Sequence, residues 1–136
     1  MKFETWQEFE EVIKNILEKH GFKTSLRVFF SDSQGRSEID VIAERFGVLI
    51  AIDAKLYSAE WYRASALRKE ARKHAKRCKR FARVIGKGVF PVIVSLIDDK
   101  IIEHSGCVVV PFYSLNDFLL NISVYLEEFR SCLCSP

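Results

Sequence analysis

The sequence predicts an α/β fold, a central mixed β-sheet flanked by helices in the order α-β-β-β-α-β-β-α. Three observations carry that prediction. Apolar residues recur at three-four spacing in three segments, near the start, middle and end of the chain. Short β-rich runs lie between them, three before the middle helix and two after it. The 136 residues are 49% hydrophobic, enough for one core, so a single domain spanning 1–136 is expected.

Phe3, Trp6, Phe9, Val12, Ile13, Ile16 and Leu17 form the first apolar stripe, and Gly21 stands where a helix C-cap glycine belongs. Residues 22–30 read as a strand. The run Ser31-Asp32-Ser33-Gln34-Gly35-Arg36 reads as a turn or mobile loop. Strands at 37–44 and 48–55 follow, separated by Arg45-Phe46-Gly47, and a hairpin joins them most economically. From 60 to 85 a second helix keeps Leu67, Ala71, His74, Cys78 and Ile85 on one side. Gly86-Lys87-Gly88 ends it. The runs 89–96 and 107–112 are continuous and apolar, as for strands covered on both faces. A last helix, 115–130, places Leu115, Phe118, Leu119, Ile122, Leu126 and Phe129 on its apolar side.

No stretch of eighteen apolar residues occurs and the start lacks a signal-peptide pattern, so a soluble, cytoplasmic protein with no membrane partner is expected. Cys78, Cys107, Cys132 and Cys134 show no zinc-type spacing; the first two suit buried thiols and the last two a frayed tail. A disulfide stays open for a hyperthermophile source, where intracellular bridges do occur. The net charge of +3 is unevenly spread: ten basic residues and one acid, Glu70, lie between Arg63 and Arg83, leaving the rest of the chain at about −6.

The carboxylates of the hairpin are the anomaly. In Ile39-Asp40-Val41-Ile42-Ala43, strand alternation puts Ile39, Val41 and Ala43 on one face and Asp40 with Ile42 on the other. In Leu49-Ile50-Ala51-Ile52-Asp53-Ala54-Lys55, Asp53 and Lys55 share the face of Leu49 and Ala51, about 7 Å apart along the strand. Burying an unpaired carboxylate costs several kcal/mol, and a divalent cation would offset that cost. The two aspartates converge only if paired positions sum to 93; a three-residue loop would give 92 and separate them. A four-residue connection, Arg45 to Val48, or a bulge is therefore expected. On the first helix, about 100° per residue puts Glu10 inside the apolar arc and Glu11 outside it. Taken singly, each acid has an ordinary structural use: an ion pair, an edge charge, or the border of a core stripe.

At these residues the sequence resembles the PD-(D/E)xK nuclease superfamily, the restriction-endonuclease-like fold, most closely its archaeal Holliday junction resolvase and Mrr-like groups. The resemblance runs from Phe9-Glu10 through Ser37-Glu38-Ile39-Asp40-Val41-Ile42 and Ala51-Ile52-Asp53-Ala54-Lys55 to Phe90-Pro91-Val92-Ile93-Val94-Ser95 and Val109-Val110-Pro111. It implies a catalytic set of Glu10, Asp40, Asp53 and Lys55. Glu10, Asp40, Asp53 and the Ala54 carbonyl would be ligands of Mg²⁺ or Mn²⁺, and Lys55 would position or deprotonate the attacking water. Oxygen-only ligands suit those ions. Ile39 replaces the motif proline, Asp53 replaces the commoner glutamate, and the basic residue and glycine usual in junction resolvases are missing ahead of Glu10.

The expected function is a metal-dependent DNA endonuclease, structure-selective or weakly sequence-selective, acting as a homodimer. The alternative is a catalytically silent nucleic-acid-binding module of the same fold. Arg36 in the loop and Arg68, Arg72, Lys76, Lys79 and Arg80 on the second helix are the expected DNA contacts, a sequence-independent track for phosphates. Tyr57, Trp61 and Tyr62 suit packing of that helix's start better than base stacking.

Overall fold

The computed structural model describes residues 3–56, 64–96 and 100–136, so Tyr57, Trp61 and Tyr62 lie outside the described residues. Helix α1 (Trp6–Lys19) opens on Thr5, whose hydroxyl accepts the Glu8 N–H at 3.1 Å. Strands β1 (Lys23–Asp32), β2 (Gly35–Arg45) and β3 (Val48–Lys55) form an antiparallel meander. Helix α2 (Ala64–Ile85) then crosses over to β4 (Phe90–Ser95), which lies parallel to β3. Strand β6 (Cys107–Pro111) is parallel to β4, and the short β5 (Ile102–His104) closes the far edge. The sheet order is β1-β2-β3-β4-β6-β5.

The layers match the expected α/β sandwich. On one face Phe9, Ile13 and Leu17 of α1 pack with Leu115, Phe118 and Leu119 against Val41, Ala43, Ile50, Ile52, Val92 and Val94. On the other, Leu67, Ala71, Cys78, Phe81 and Ala82 of α2 cover Ala51, Ile42, Ile93 and Val109. Strands β3 and β4 are apolar on both sides because both sides are covered.

Four details depart from the sequence reading. The β1–β2 turn shrinks to Ser33-Gln34, since Asp32 and Gly35 already pair and the strands continue through Ser31 and Arg36. Strand β5, three residues long, left no periodic signal. The last helix is two, α3 (Leu115–Leu120) and α4 (Ile122–Glu128), broken at Asn121. Asn121 adopts φ −113° and ψ 28°, and its amide donates to the Asp117 carbonyl at 3.1 Å. The C-terminal tail is docked: Val89 and Cys134 exchange backbone hydrogen bonds of 2.9 and 2.8 Å, and all four cysteines are buried and free. Among the described residues no helix is long and apolar enough to cross a membrane.

Candidate active site

The β2–β3 register decides whether the two aspartates meet. Val41 pairs with Ile52, Ala43 with Ile50 and Arg45 with Val48, so paired positions sum to 93, as convergence requires. The connection is tighter than four unpaired residues. Arg45 and Val48 pair directly, and Phe46 and Gly47 turn the chain with φ of 50° and 79°. Two successive positive φ values give a hairpin turn whose twist matches the strands, and Gly47 adopts its value without strain.

Ladder pairing stops at Val41–Ile52, one position short of the aspartates. In β1, Leu26 packs on the α1 side but Val28 and Phe30 on the α2 side; in β2, Val41 lies on the α1 side but Ile39 on the α2 side. Alternation therefore breaks in both strands at the facing positions Arg27 and Asp40. The expected grouping of Ile39 with Val41 and Ala43 fails for this reason. Arg27 carries the break as a non-glycine residue at φ 52°. Such backbone strain collects at functional sites because surrounding contacts must hold it.

Where β2 and β3 part, an open cleft of about 450 Å³ is lined by Trp6, Glu10, Ser37, Glu38, Asp40, Asp53, Ala54, Lys55 and Arg77. Asp40 Oδ2 accepts the Ala54 N–H at 2.9 Å, replacing the lost ladder bond. Because a strand residue's N–H and C=O leave the same edge, the Ala54 carbonyl also faces the gap. Asp40 and Asp53 lie close enough that the charge on one opposes ionisation of the other. Burial and then the Asp53 charge push the Asp40 carboxyl up to about 7. Burial opposes ionisation of Asp53 too, but the charges of Lys55 and Arg77 and the contact with Asp40 outweigh it and hold that carboxyl below its ordinary value. Lys55 Nζ lies 3.4 Å from Asp53 Oδ2 and 3.3 Å from Glu70 Oε2, an ammonium between two carboxylates.

Glu10 points inward as its helical position requires, at 2% exposure, while Glu11 is exposed. Burial raises its carboxyl's pKa, with Arg27 opposing and Glu38 and Asp53 adding to it. Arg27 Nε stands 3.4 Å from Glu10 Oε1, and its guanidinium lies 4.3 Å from the centroid of the half-exposed Trp6 ring. Glu10 thus reaches the cleft with a cation already beside it.

Helix α2 supplies three groups that the sequence reading did not assign to the site. Glu70 joins Lys55. His74 is wholly buried, and its Nε2 lies 2.8 Å from the carbonyl of Ala51, two residues before Asp53. Arg77 holds His74 Nδ1 at 3.2 Å and lines the cleft. The signal was present in the spacing: residues 70, 74 and 77 share a helix face, and a histidine within an apolar stripe needs a polar partner.

The expected DNA contacts fall into three groups. Arg68, Arg72, Lys76 and Lys79 are exposed along α2. Arg36 is exposed with its guanidinium over Phe29, 4.2 Å from the ring centroid. Arg80 is committed elsewhere: it donates to Asp32 at 2.7 and 2.8 Å and to the Gly35 carbonyl at 2.8 Å, clasping the β1–β2 turn to the helix.

Two observations bear on a metal. Among the described residues Asp53 Oδ2 is buried with no hydrogen-bond partner, and Lys55 stands beside it at ion-pair distance. Among the described residues no three His, Cys, Asp or Glu side chains converge to hold an ion. The donors therefore do not form an all-protein cage. They fit Mg²⁺ or Mn²⁺, which take one or two carboxylates and keep waters.

A family model described as restriction endonuclease, Mrr_cat, matches residues 2–89, which contain the whole cleft. The chain belongs to this restriction endonuclease family. Membership places it among nucleases of the restriction-endonuclease-like superfamily, and the six-stranded sheet agrees. An uncharacterized protein of Archaeoglobus fulgidus is 56% identical over 124 residues, 91% of this chain and 96% of that one. Among solved structures, protein VC1899 from Vibrio cholerae is similar at TM-score 0.51 and 15% identity, over 93% of this chain and 34% of that one. A protein of unknown function, AF1548, is similar at TM-score 0.45 and 23% identity, over 74% of this chain and 50% of that one. The chain thus spans half of one solved relative and about a third of the other.

Proposed function

We propose that this member of the family is a divalent-metal-dependent DNA endonuclease, with Asp40, Asp53, Ala54 and Lys55 as its chemical centre. One observation carries the reading. Two acids crowd the gap between β2 and β3, Asp53 buried and Asp40 half-buried; among the described residues an Asp53 oxygen lacks a hydrogen bond, and a lysine stands beside it. Like charges held this close call for a cation, and Asp53 sits near the C-terminal end of β3, which runs parallel to β4, where α/β sheets bind ligands.

Asp40, Asp53 and the Ala54 carbonyl would hold Mg²⁺ or Mn²⁺, which when bound lowers the pKa of water and neutralises charge on a phosphate. Asp40, fixed by the Ala54 amide, keeps its carboxylate aimed into the gap. Lys55, bracketed by Asp53 and Glu70, orients the attacking water and offsets negative charge as it develops. In the reaction the water oxygen bonds to phosphorus as the bond to one deoxyribose oxygen breaks. One new end keeps the phosphate and the other the hydroxyl.

The exposed row Arg68, Arg72, Lys76 and Lys79 would track the backbone, which supports selection by shape over base sequence. Cutting both strands of a junction or duplex needs two centres, and exposed Leu120 and Val124 on the C-terminal helices support a homodimer. The test incubates the protein with labelled duplex, single-stranded, flap and four-way-junction DNA in Mg²⁺, Mn²⁺ or EDTA. Metal-dependent cleavage lost in Asp40→Ala and Lys55→Ala is expected. Binding without cleavage on every substrate would instead establish the silent module.

A further inference from the structure

We infer that Arg77 is a further catalytic residue, the guanidinium that grips the phosphate being cut, and that His74 is the positioning residue that aims it. The inference rests on the nuclease reading above and names a group that this reading did not need.

The geometry begins with a buried histidine. His74 Nε2 lies 2.8 Å from the Ala51 carbonyl, an acceptor only, so Nε2 must carry the hydrogen. On the other side, Arg77 Nη1 lies 3.2 Å from Nδ1, and a guanidinium only donates. His74 is therefore the neutral Nε2–H tautomer, acceptor at one nitrogen and donor at the other. A charged imidazolium would point a hydrogen at Arg77. Complete burial favours the same neutral form.

The consequence is a rigid chain from β3 to the cleft: Ala51 carbonyl, His74 ring, Arg77 guanidinium. Ala51 is two residues from Asp53 on the same face of the same strand. The strand that carries Asp53 and Lys55 thus also sets the position of Arg77, and moving one moves the others. Of the many basic residues of α2, Arg77 lines the cleft with Asp40, Asp53, Ala54 and Lys55. At about 100° per residue, Arg68, Arg72 and Lys79 lie on nearly the opposite side of the helix from Arg77, and these are exposed.

One of five guanidinium donors is spent on His74, and the rest remain to meet a phosphate lying against the carboxylates. A planar fork suits the non-bridging oxygens, whose charge grows during hydrolysis. Arg77 transfers no proton and so leaves the bond changes described above as they stand.

The test uses the DNA that the wild type cuts best and the variants Arg77→Gln, Arg77→Lys and His74→Asn. Arg77→Gln should lower kcat by about 10²–10³-fold with KM moving about threefold or less, the pattern of a contact made in the transition state. Arg77→Lys, which keeps the charge but not the fork, should recover about tenfold or less of that loss. Mn²⁺ affinity measured without DNA should be unchanged in both. His74→Asn should lose nothing further when combined with Arg77→Gln, since it acts through the same guanidinium. Nitrogen NMR of the wild type should show the neutral Nε2–H tautomer at neutral pH, a readout that stands if the His74 variant does not fold. An Arg77→Gln enzyme with kcat near wild type, a loss confined to KM, or a parallel loss of Mn²⁺ affinity overturns the assignment of Arg77. Additive losses or an Nδ1–H tautomer overturn that of His74. Should the wild type cut no DNA with any metal, the nuclease reading fails and this inference falls with it. Failure of Arg77→Gln to differ from an active wild type sinks the inference alone.

Discussion

Asp40 Oδ2 accepts the backbone N–H of Ala54 at 2.9 Å, so the side chain of one strand occupies the hydrogen-bonding edge of the other. That contact holds the gap between β2 and β3 at a fixed width and keeps two acids in it. It follows that the ion-free protein carries repulsion that an amide would relieve. Asp40→Asn retains an oxygen for the Ala54 amide and removes one of the two like charges. The variant should melt higher than the wild type in EDTA at pH 8, measured by calorimetry. It should also lose the stabilisation that Mn²⁺ gives the wild type, about 2.7 kcal/mol at a hundredfold excess over Kd. A variant that melts lower in EDTA yet still responds to Mn²⁺ would show that the acids are not paired as charges.

Acid dependence follows from the same pair. The folded Asp40 carboxyl sits at about 7, against about 3.9 in an unfolded chain, so the folded state binds more protons between those values. Its contribution to stability is full below pH of about 4 and is lost as pH rises through about 7. Asp53, held below its ordinary value, contributes with opposite sign, and its share is lost only as pH falls through the acidic range. Buried neutral His74 contributes with opposite sign over part of this range, so the reading is a difference: in EDTA the wild type should lose melting temperature relative to Asp40→Asn between pH 5 and 8. Metal binding competes with the proton on Asp40, so Mn²⁺ affinity should rise over the same interval. A wild type that gains melting temperature relative to Asp40→Asn from pH 5 to 8 in EDTA would refute the assignment to Asp40.

The meander and the crossover were legible because each strand and helix kept one period over its length. Glu10 was legible too, since Phe3 and six apolar residues of α1 fixed the arc in which it lies. The register came from a requirement that two acids meet, not from the loop, and the turn satisfied it with two residues where four unpaired ones were expected. The break at Arg27 and Asp40 could not be read: it is a paired change in two strands, and neither carries glycine or proline there to mark it. The division of the basic helix was hidden for a related reason. Charge counts treat Arg77 and Arg80 alike, whereas packing gives one to the cleft and the other to Asp32.

The exposed basic row should act through charge and number. Lys76→Gln is expected to weaken DNA binding about equally across sequences and to reduce the slope of log K against log salt by about one. Its kcat at saturating DNA should stay near wild type, which separates it from Arg77→Gln. Binding titrations at several salt concentrations measure the slope. An unchanged slope would place the DNA away from this face of α2.

Arg80 makes the contrary prediction. Its guanidinium meets both oxygens of Asp32 and the Gly35 carbonyl, so three donor contacts tie the β1–β2 turn to α2. The pairing holds the Asp32 carboxyl below its ordinary value, chiefly through the hydrogen bonds from Arg80, and raises Arg80 in turn. Arg80→Gln should lower the melting temperature, and Asp32→Asn should lower it by a similar amount. The double variant should be little worse than either, because both remove one contact. Salt should shrink the difference, since the pair is close to solvent. KM for DNA and the salt slope should stay at wild-type values. A steep rise in KM with no change in melting would return Arg80 to the phosphate track and leave the turn held by Phe30 and Phe81, whose rings pack 5.3 Å apart beneath it.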